Sequence, residues 1–164
     1  MIIRLAQPSE AALVAAVLAS AAARLRERGQ ALWTEADVGE PAVAPHVRAG
    51  LYHLAFDEDG AVGVFRFQLE DPAYWPEMPP GSAAYVHKLA VAPRRQGQGL
   101  SHALLRHAVG LARGQGRRFL RLDCVAGRPG LRTVYERFGF RHHSQAGGGA
   151  IERFELDLAA FDPQ

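Results

Sequence analysis

"LAVAPRRQGQGLSHALL", residues 89–105, runs from an apolar, strand-like segment through two arginines and two glycines into a helix. Pro93 has no amide hydrogen to donate, so a pairing strand ends there. Beyond it Leu100, Leu104, Ala108, Leu111 and Ala112 recur on one helical face, and the run stops at "RGQG". A glycine-rich loop that enters a helix presents backbone amides, and the helix start adds roughly half a positive charge. Arg94 and Arg95 bring two full charges to the same place. Such a loop is either a plain turn with two solvated arginines or a cradle for phosphate. Two nucleotide-fold motifs fail here. A P-loop requires Gly-Lys followed by Ser or Thr, and the dinucleotide fingerprint requires a third glycine where His102 stands.

The rest of the chain limits the choice. Its 164 residues fit one domain, residues 1–164, and 48% of them are hydrophobic, enough to bury a core. Nineteen basic residues against 17 acidic ones leave a charge of +2, so nucleic acid is not expected as a partner. Cys124 is the single cysteine, which excludes an intrachain disulfide and makes the cytoplasm the default location. "AALVAAVLASAAA" has the length of a secretory apolar region, but Val14, Val17, Leu18, Ala21 and Leu25 recur at helical spacing. With Ser9 as cap and Gly29 as stop, this predicts an amphipathic helix of a folded domain. Its apolar run is too short to cross a bilayer, so no membrane association is expected.

Alternation and turn chemistry supply the remaining elements. "IIRLA" is a short first strand, and a weaker helical stretch ends at Gly50. Tyr52, Leu54 and Phe56 alternate, "DEDG" turns the chain, and Phe65, Phe67 and Leu69 alternate again, predicting a hairpin. "EDPAYWPEMPPGS" carries four prolines and is a long loop. "AAYVHKLAV" is a strand, and "FLRLDCV" alternates Leu120, Leu122 and Cys124 against Arg121 and Asp123 as a half-buried one. "RPGLRTVYERFGF" is a short helix from Pro129 to Gly139. Two last strands, near Phe140 and from Ile151 to Leu158, flank "GGG". The fold class is α/β (α+β), one mostly antiparallel sheet with flanking helices.

The pattern Arg94-x-x-Gly97-x-Gly99 between strand and helix, preceded by "KLAVAP" and followed in order by "LRLDC" and "VYERFGF", resembles the GNAT superfamily of acyl-CoA-dependent N-acyltransferases. The matching features cover about residues 84 to 141. The resemblance implies a splayed strand at 84–91 whose Leu89, Ala90 and Val91 main chain pairs with the pantetheine arm of acetyl-CoA. The Leu89 amide would then polarise the thioester carbonyl. It implies a pyrophosphate site on the amides of Gln96, Gly97, Gln98, Gly99, Leu100 and Ser101, neutralised by Arg94 and Arg95. It also places Tyr135 at the position of the general acid. Many members carry Asn seven residues before that tyrosine. Arg128 stands there in this chain, and it is a candidate contact to a phosphate or an acidic substrate.

The implied reaction is direct attack of an amine on the thioester. An alkylammonium has a pKa of about 10.4 and must lose a proton, while the departing thiol, at about 8.5, needs stabilising as thiolate. His87 suits a base at neutral pH, and strand alternation points it to the face that carries Leu89. A structural strand histidine is the alternative, and Glu70 is the second candidate for the base. Cys124 lies mid-strand on the apolar face, the setting of a core thiol rather than a nucleophile. His142 and His143 are adjacent and would diverge, and no His-Glu-x-x-His occurs, so no metal is expected. Trp33, Tyr74 and Trp75 are candidates either for an aromatic wall on the acceptor side or for packing. The expected activity is acetyl transfer from acetyl-CoA to a primary amine, with a small-molecule acceptor favoured and homodimerisation left open. The rivals are an inactive acyl-CoA sensor or interaction module, and an acetyltransferase of protein or peptide amines.

Overall fold

The computed structural model describes residues 1–162. Among the described residues seven strands lie in the order β1-β2-β3-β4-β5-β7-β6. They are β1 (Ile2–Leu5), β2 (Tyr52–Asp57), β3 (Gly60–Gln68), β4 (Ala83–Val91), β5 (Phe119–Val125), β6 (Arg141–Ala146) and β7 (Ile151–Asp157). The β1–β2, β2–β3, β5–β7 and β6–β7 pairings are antiparallel, and β4–β5 is parallel. The helices are α1 (Ala11–Glu27), α2 (Glu35–Val38), α3 (Glu40–Arg48), α4 (Leu100–Gly114) and α5 (Pro129–Phe138). The chain forms two compact units, residues 1–67 with 88–105, and residues 68–87 with 106 onward. Strand β4 and helix α4 each begin in one unit and end in the other.

In the first unit the helical periodicity of α1 buries Val14, Val17, Leu18 and Ala21 with Val43 and Val47 of α3 and Leu54 and Val64 of β2 and β3. Each fully buried valine or leucine of this kind contributes about 1.5–3 kcal/mol. Gly63 on β3 leaves room for the leucines of helix α4. A Cβ there would lie 3.0 Å from Leu104 Cδ1 and 3.3 Å from Leu100 Cδ2. Two expectations need correction. Ser9 does not cap α1, because it lies inside a short turn, Pro8–Glu10, closed by the Gln7 amide donating to Glu10 at 2.7 Å. Arg4 also claims Glu10 through a forked pair at 2.8 and 2.7 Å. The helical stretch Pro8–Glu27, whose most apolar 18-residue window has a mean hydropathy of 1.3, is long and apolar enough to cross a membrane by length and composition, which the apolar-run argument denied. Its valine and leucine face nonetheless packs in this core.

The second unit contains a buried cation that alternation assigned to the polar face. Arg121 of β5 is 4% exposed. Its ladder partner on β7 is Glu155, which accepts from Arg121 Nε at 2.7 Å, while Nη1 reaches Ser82 and Tyr85. Partnered arginine is buried where an unpaired charge would be expelled. The same guanidinium lies 5.2 Å from the Trp75 ring, and Arg153 lies 4.6 Å from it. Arg153 in turn pairs with Glu77 at 2.6 Å and donates to the Tyr74 carbonyl at 3.1 Å and to Ser144 at 2.9 Å. The proline-rich loop, residues 70–82, is irregular as expected, yet it is pinned through Trp75, which is 2% exposed and packs with Tyr85 and Ala83. Trp75 is therefore core, and Tyr74 beside it is the exposed aromatic.

Candidate active site

The loop after β4 has the backbone its glycines require. Gly97 and Gly99 sit at φ 74 and 77, in the left-handed region that other residues avoid. Nothing lies within 4 Å of a Cβ built on either, so conformation and not crowding selects glycine. The first amides of α4, from Leu100 and Ser101 onward, have no carbonyl one turn earlier in the helix and point outward. Gln96 and Gln98 donate their side chains back to the carbonyls of Val91 and Arg94, bracing the loop. Arg94 is engaged locally. It forks onto Asp57 at 2.8 and 2.9 Å and reaches Asp59 at 3.4 Å, while Arg95 Nε lies 3.4 Å from Asp57. Asp57 is held below its ordinary range, first by the Arg94 hydrogen bond. The two arginines thus meet two aspartates of the β2–β3 turn, and the anion donors this loop offers are the backbone amides from Gly97 onward, because the Gln96 amide, expected among them, already donates to the Pro93 carbonyl at 3.3 Å.

Strand β4 is irregular at its middle. Its parallel register with β5 runs from Ala83↔Phe119 to Val86↔Leu122, where the ladder ends. Two residues later Lys88 takes φ 52, a left-handed conformation that costs a non-glycine residue about 1 kcal/mol or more. Its ammonium lies 5.0 Å over the Trp33 ring, which holds the side chain in place. Alternation across Lys88 is broken, so the period-two argument that put His87 and Leu89 on one face does not apply to this backbone.

The positions just beyond the last ladder pair are His87 on β4 and Asp123 on β5. His87 Nδ1 lies 3.6 Å from Asp123 Oδ1, and its Nε2 lies 2.8 Å from Asp71 Oδ2. The side chains of Asp71, His87 and Asp123 are 2%, 9% and 10% exposed. Tyr74 covers the imidazole at a ring separation of 5.6 Å. Among the described residues these three bring one ligand atom each within 4.8 Å, a grouping of metal-ligand type that sequence spacing did not suggest. The His142 and His143 pair takes other roles, with His142 against Glu152 and His143 against Ser144. Glu70, the second candidate for the base, is exposed, accepts from the Gly81 amide at 3.1 Å and lies 3.7 Å from Arg117. It braces the proline-rich loop, and the carboxylate on His87 belongs to its neighbour Asp71.

Tyr135 projects from α5 into the same unit's core and is 7% exposed. Burial raises its phenol above the ordinary value, and the nearby Cys124 and Asp123 raise it further, so the hydroxyl stays protonated. Arg128 occupies the N-cap position of α5, half-buried, and its side chain makes no capping hydrogen bond. Cys124 is 9% exposed and its thiol is pushed up to about 11, chiefly by burial. With so little thiolate at pH 8, alkylation by iodoacetamide is expected to run about a hundredfold slower than for a free cysteine, as read by intact mass over time. A rate equal to that of free cysteine would place Cys124 at an accessible, ionised site.

Beside this cluster lies a cavity of about 460 Å3 lined by Tyr74, Pro76, Glu77, Ile151 and Arg153 among others. Its size falls in the range of small-molecule sites.

Comparison with known proteins places these features in a lineage. Residues 18–140 match the Acetyltransferase (GNAT) family. The chain is 27% identical over 158 residues to the uncharacterized N-acetyltransferase YesJ of Bacillus subtilis (strain 168), covering 92% of this chain and 87% of that one. Among solved structures, a GNAT-family acetyltransferase from Listeria monocytogenes superposes with a TM-score of 0.82 at 21% identity, covering 95% and 94% of the two chains. The PaiA N-acetyltransferase of Thermoplasma acidophilum, in complex with coenzyme A, superposes with a TM-score of 0.75 at 14% identity over 95% and 98%. With the family signature spanning most of its length and the fold matching throughout, the chain belongs to the GNAT family of acetyltransferases.

Proposed function

We propose that the protein transfers an acetyl group from acetyl-CoA to the primary amine of a small molecule. The observation that carries this is His87, an imidazole fixed between two carboxylates, in a unit that also keeps the Tyr135 phenol protonated. His87 removes a proton from the acceptor ammonium. The freed amine attacks the thioester carbonyl, and the Leu89 amide stabilises the charge that develops on its oxygen. As the C–S bond breaks, Tyr135 donates a hydrogen bond to sulfur. The amides of residues 97–101 take the pyrophosphate, which the coenzyme A complex of the PaiA N-acetyltransferase supports by likeness of fold. The cavity lined by Tyr74 and Glu77 supports a small acceptor.

The experiment is release of free coenzyme A from acetyl-CoA across amines, polyamines, amino acids, aminoglycosides and peptides. Release dependent on one small-amine class is expected. Release only with peptides would reassign the acceptor, and none at all despite calorimetric binding of acetyl-CoA would favour a sensor. In the cradle, Gly99→Val is expected to weaken acetyl-CoA binding at least about tenfold, because a β-branched residue cannot hold φ 77. The backbone strain, about 1–3 kcal/mol, falls on one exposed loop residue, so the Tm should drop by several degrees while the fold survives. Unchanged affinity by calorimetry would remove the loop from the binding site.

A further inference from the structure

We infer that Asp71 is a positioning residue that fixes His87 as the Nε2–H tautomer, so that Nδ1 is the atom that takes the proton, and that Asp123 is a second acceptor for the same incoming ammonium. This rests on His87 being the base. Asp71 is fixed at both oxygens. Oδ1 accepts from the Tyr74 amide at 3.2 Å, Oδ2 faces His87 Nε2 at 2.8 Å, and its carbonyl receives the Trp75 amide at 2.9 Å. An ionised carboxylate only accepts hydrogen bonds, so the nitrogen opposite it must carry the hydrogen. In the neutral ring the lone pair then lies on Nδ1. Facing it at 3.6 Å is Asp123 Oδ1, also an acceptor and beyond direct hydrogen-bond range. Two acceptors at that spacing suit one donor with several hydrogens and a positive charge. A primary ammonium has both, and Tyr74 over the ring gives its carbon chain an apolar surface.

The proton inventory closes. The ammonium gives one proton to Nδ1, producing an imidazolium whose charge lies between the two carboxylates. The amine lone pair forms the C–N bond, the C–S bond breaks, and the second amine proton lost in forming the amide goes to the thiolate, giving free thiol. The proton on Nδ1 returns to solvent, leaving one proton released per turnover.

Two kinds of measurement test this. Long-range 1H–15N correlation on protein labelled with 15N-histidine is expected to show the neutral His87 ring protonated on Nε2. An Nδ1–H ring would overturn the inference without any variant. In kinetics, Asp71→Asn keeps the bond to the Tyr74 amide through its amide oxygen, which turns its NH2 toward Nε2 and favours the opposite, Nδ1–H ring. It is expected to lower kcat about tenfold or more, with the KM of acetyl-CoA unchanged. Asp123→Asn is expected to raise the KM of the amine about tenfold with a smaller change in kcat. Wild-type constants in both variants would overturn the inference. His87→Gln separates the two levels. If it leaves turnover intact, the base assignment itself fails. If it abolishes turnover while the ring is Nδ1–H or Asp71→Asn is silent, only the tautomer inference fails. Activity lost on chelation and restored by zinc or manganese would assign the three side chains to a cation and overturn it as well.

Discussion

Tyr135→Phe is expected to lower kcat by about 10²- to 10³-fold while leaving acetyl-CoA affinity within about twofold, the range typical of losing one positioned proton donor. The ring is held by Phe154 and Phe140 at centroid separations of 5.6 and 6.2 Å, so phenylalanine fills the same space and the fold should survive. The variant loses a hydroxyl that burial keeps protonated. A free thiol ionises at about 8.5, below any phenol, so sulfur leaves as a hydrogen-bonded thiolate rather than stripping the proton from oxygen. A raised phenol pKa means that Tyr135 remains a donor well into the alkaline range, so any alkaline fall in kcat should persist unchanged in the variant. Steady-state kinetics beside calorimetry reads both effects, and unaltered turnover would take Tyr135 out of the chemistry.

Trp75→Ala is expected to destabilise the protein by about 3–5 kcal/mol, the usual cost of emptying a buried aromatic site. For a chain of this length that is a fall in Tm of about 6–20 °C. The indole is 2% exposed, packs on Tyr85 and lies against the guanidinium groups of Arg121 and Arg153. Removing it deprives two largely buried cations of a favourable aromatic face. Trp75→Phe should recover more than half of the loss. Because Asp71 and Tyr74 share the loop that Trp75 anchors, turnover in Trp75→Ala should fall even below its melting range. A Tm within about 2 °C of wild type by calorimetric scanning would show that the loop is held by other means.

The elements were legible because their signals are local. Val14, Val17 and Leu18 on α1, the "DEDG" turn between β2 and β3, and Pro129 and Gly139 at the ends of α5 each act within a few residues. The glycine loop between β4 and α4 was legible for the same reason. Much of the cluster around His87 was not. Asp71 sits sixteen residues before His87 in a loop where Asp followed by Pro reads as turn chemistry, and only the tertiary fold brings them together. Asp123 carried a usable signal, since it is the first residue beyond the Val86↔Leu122 pair, but only once the parallel register is known. Arg121 was misread because alternation assigns faces and cannot foresee a partner such as Glu155 on the facing strand. Lys88 defeats alternation altogether, since one left-handed residue within β4 resets the parity of Leu89, Ala90 and Val91.

The match between Arg94 and Arg95 and the aspartates Asp57 and Asp59 has a kinetic consequence. Two positive and two negative charges cancel at distances beyond the Debye length, about 8 Å at physiological salt, so a polyanion far from this loop feels almost no field from it. Attraction begins only when phosphate oxygens come within reach of the backbone dipoles. On the proposed assignment the loop recognises by contact rather than by steering, and the rate at which an anionic cofactor arrives should vary little with ionic strength, unlike the steep dependence of electrostatically guided encounters.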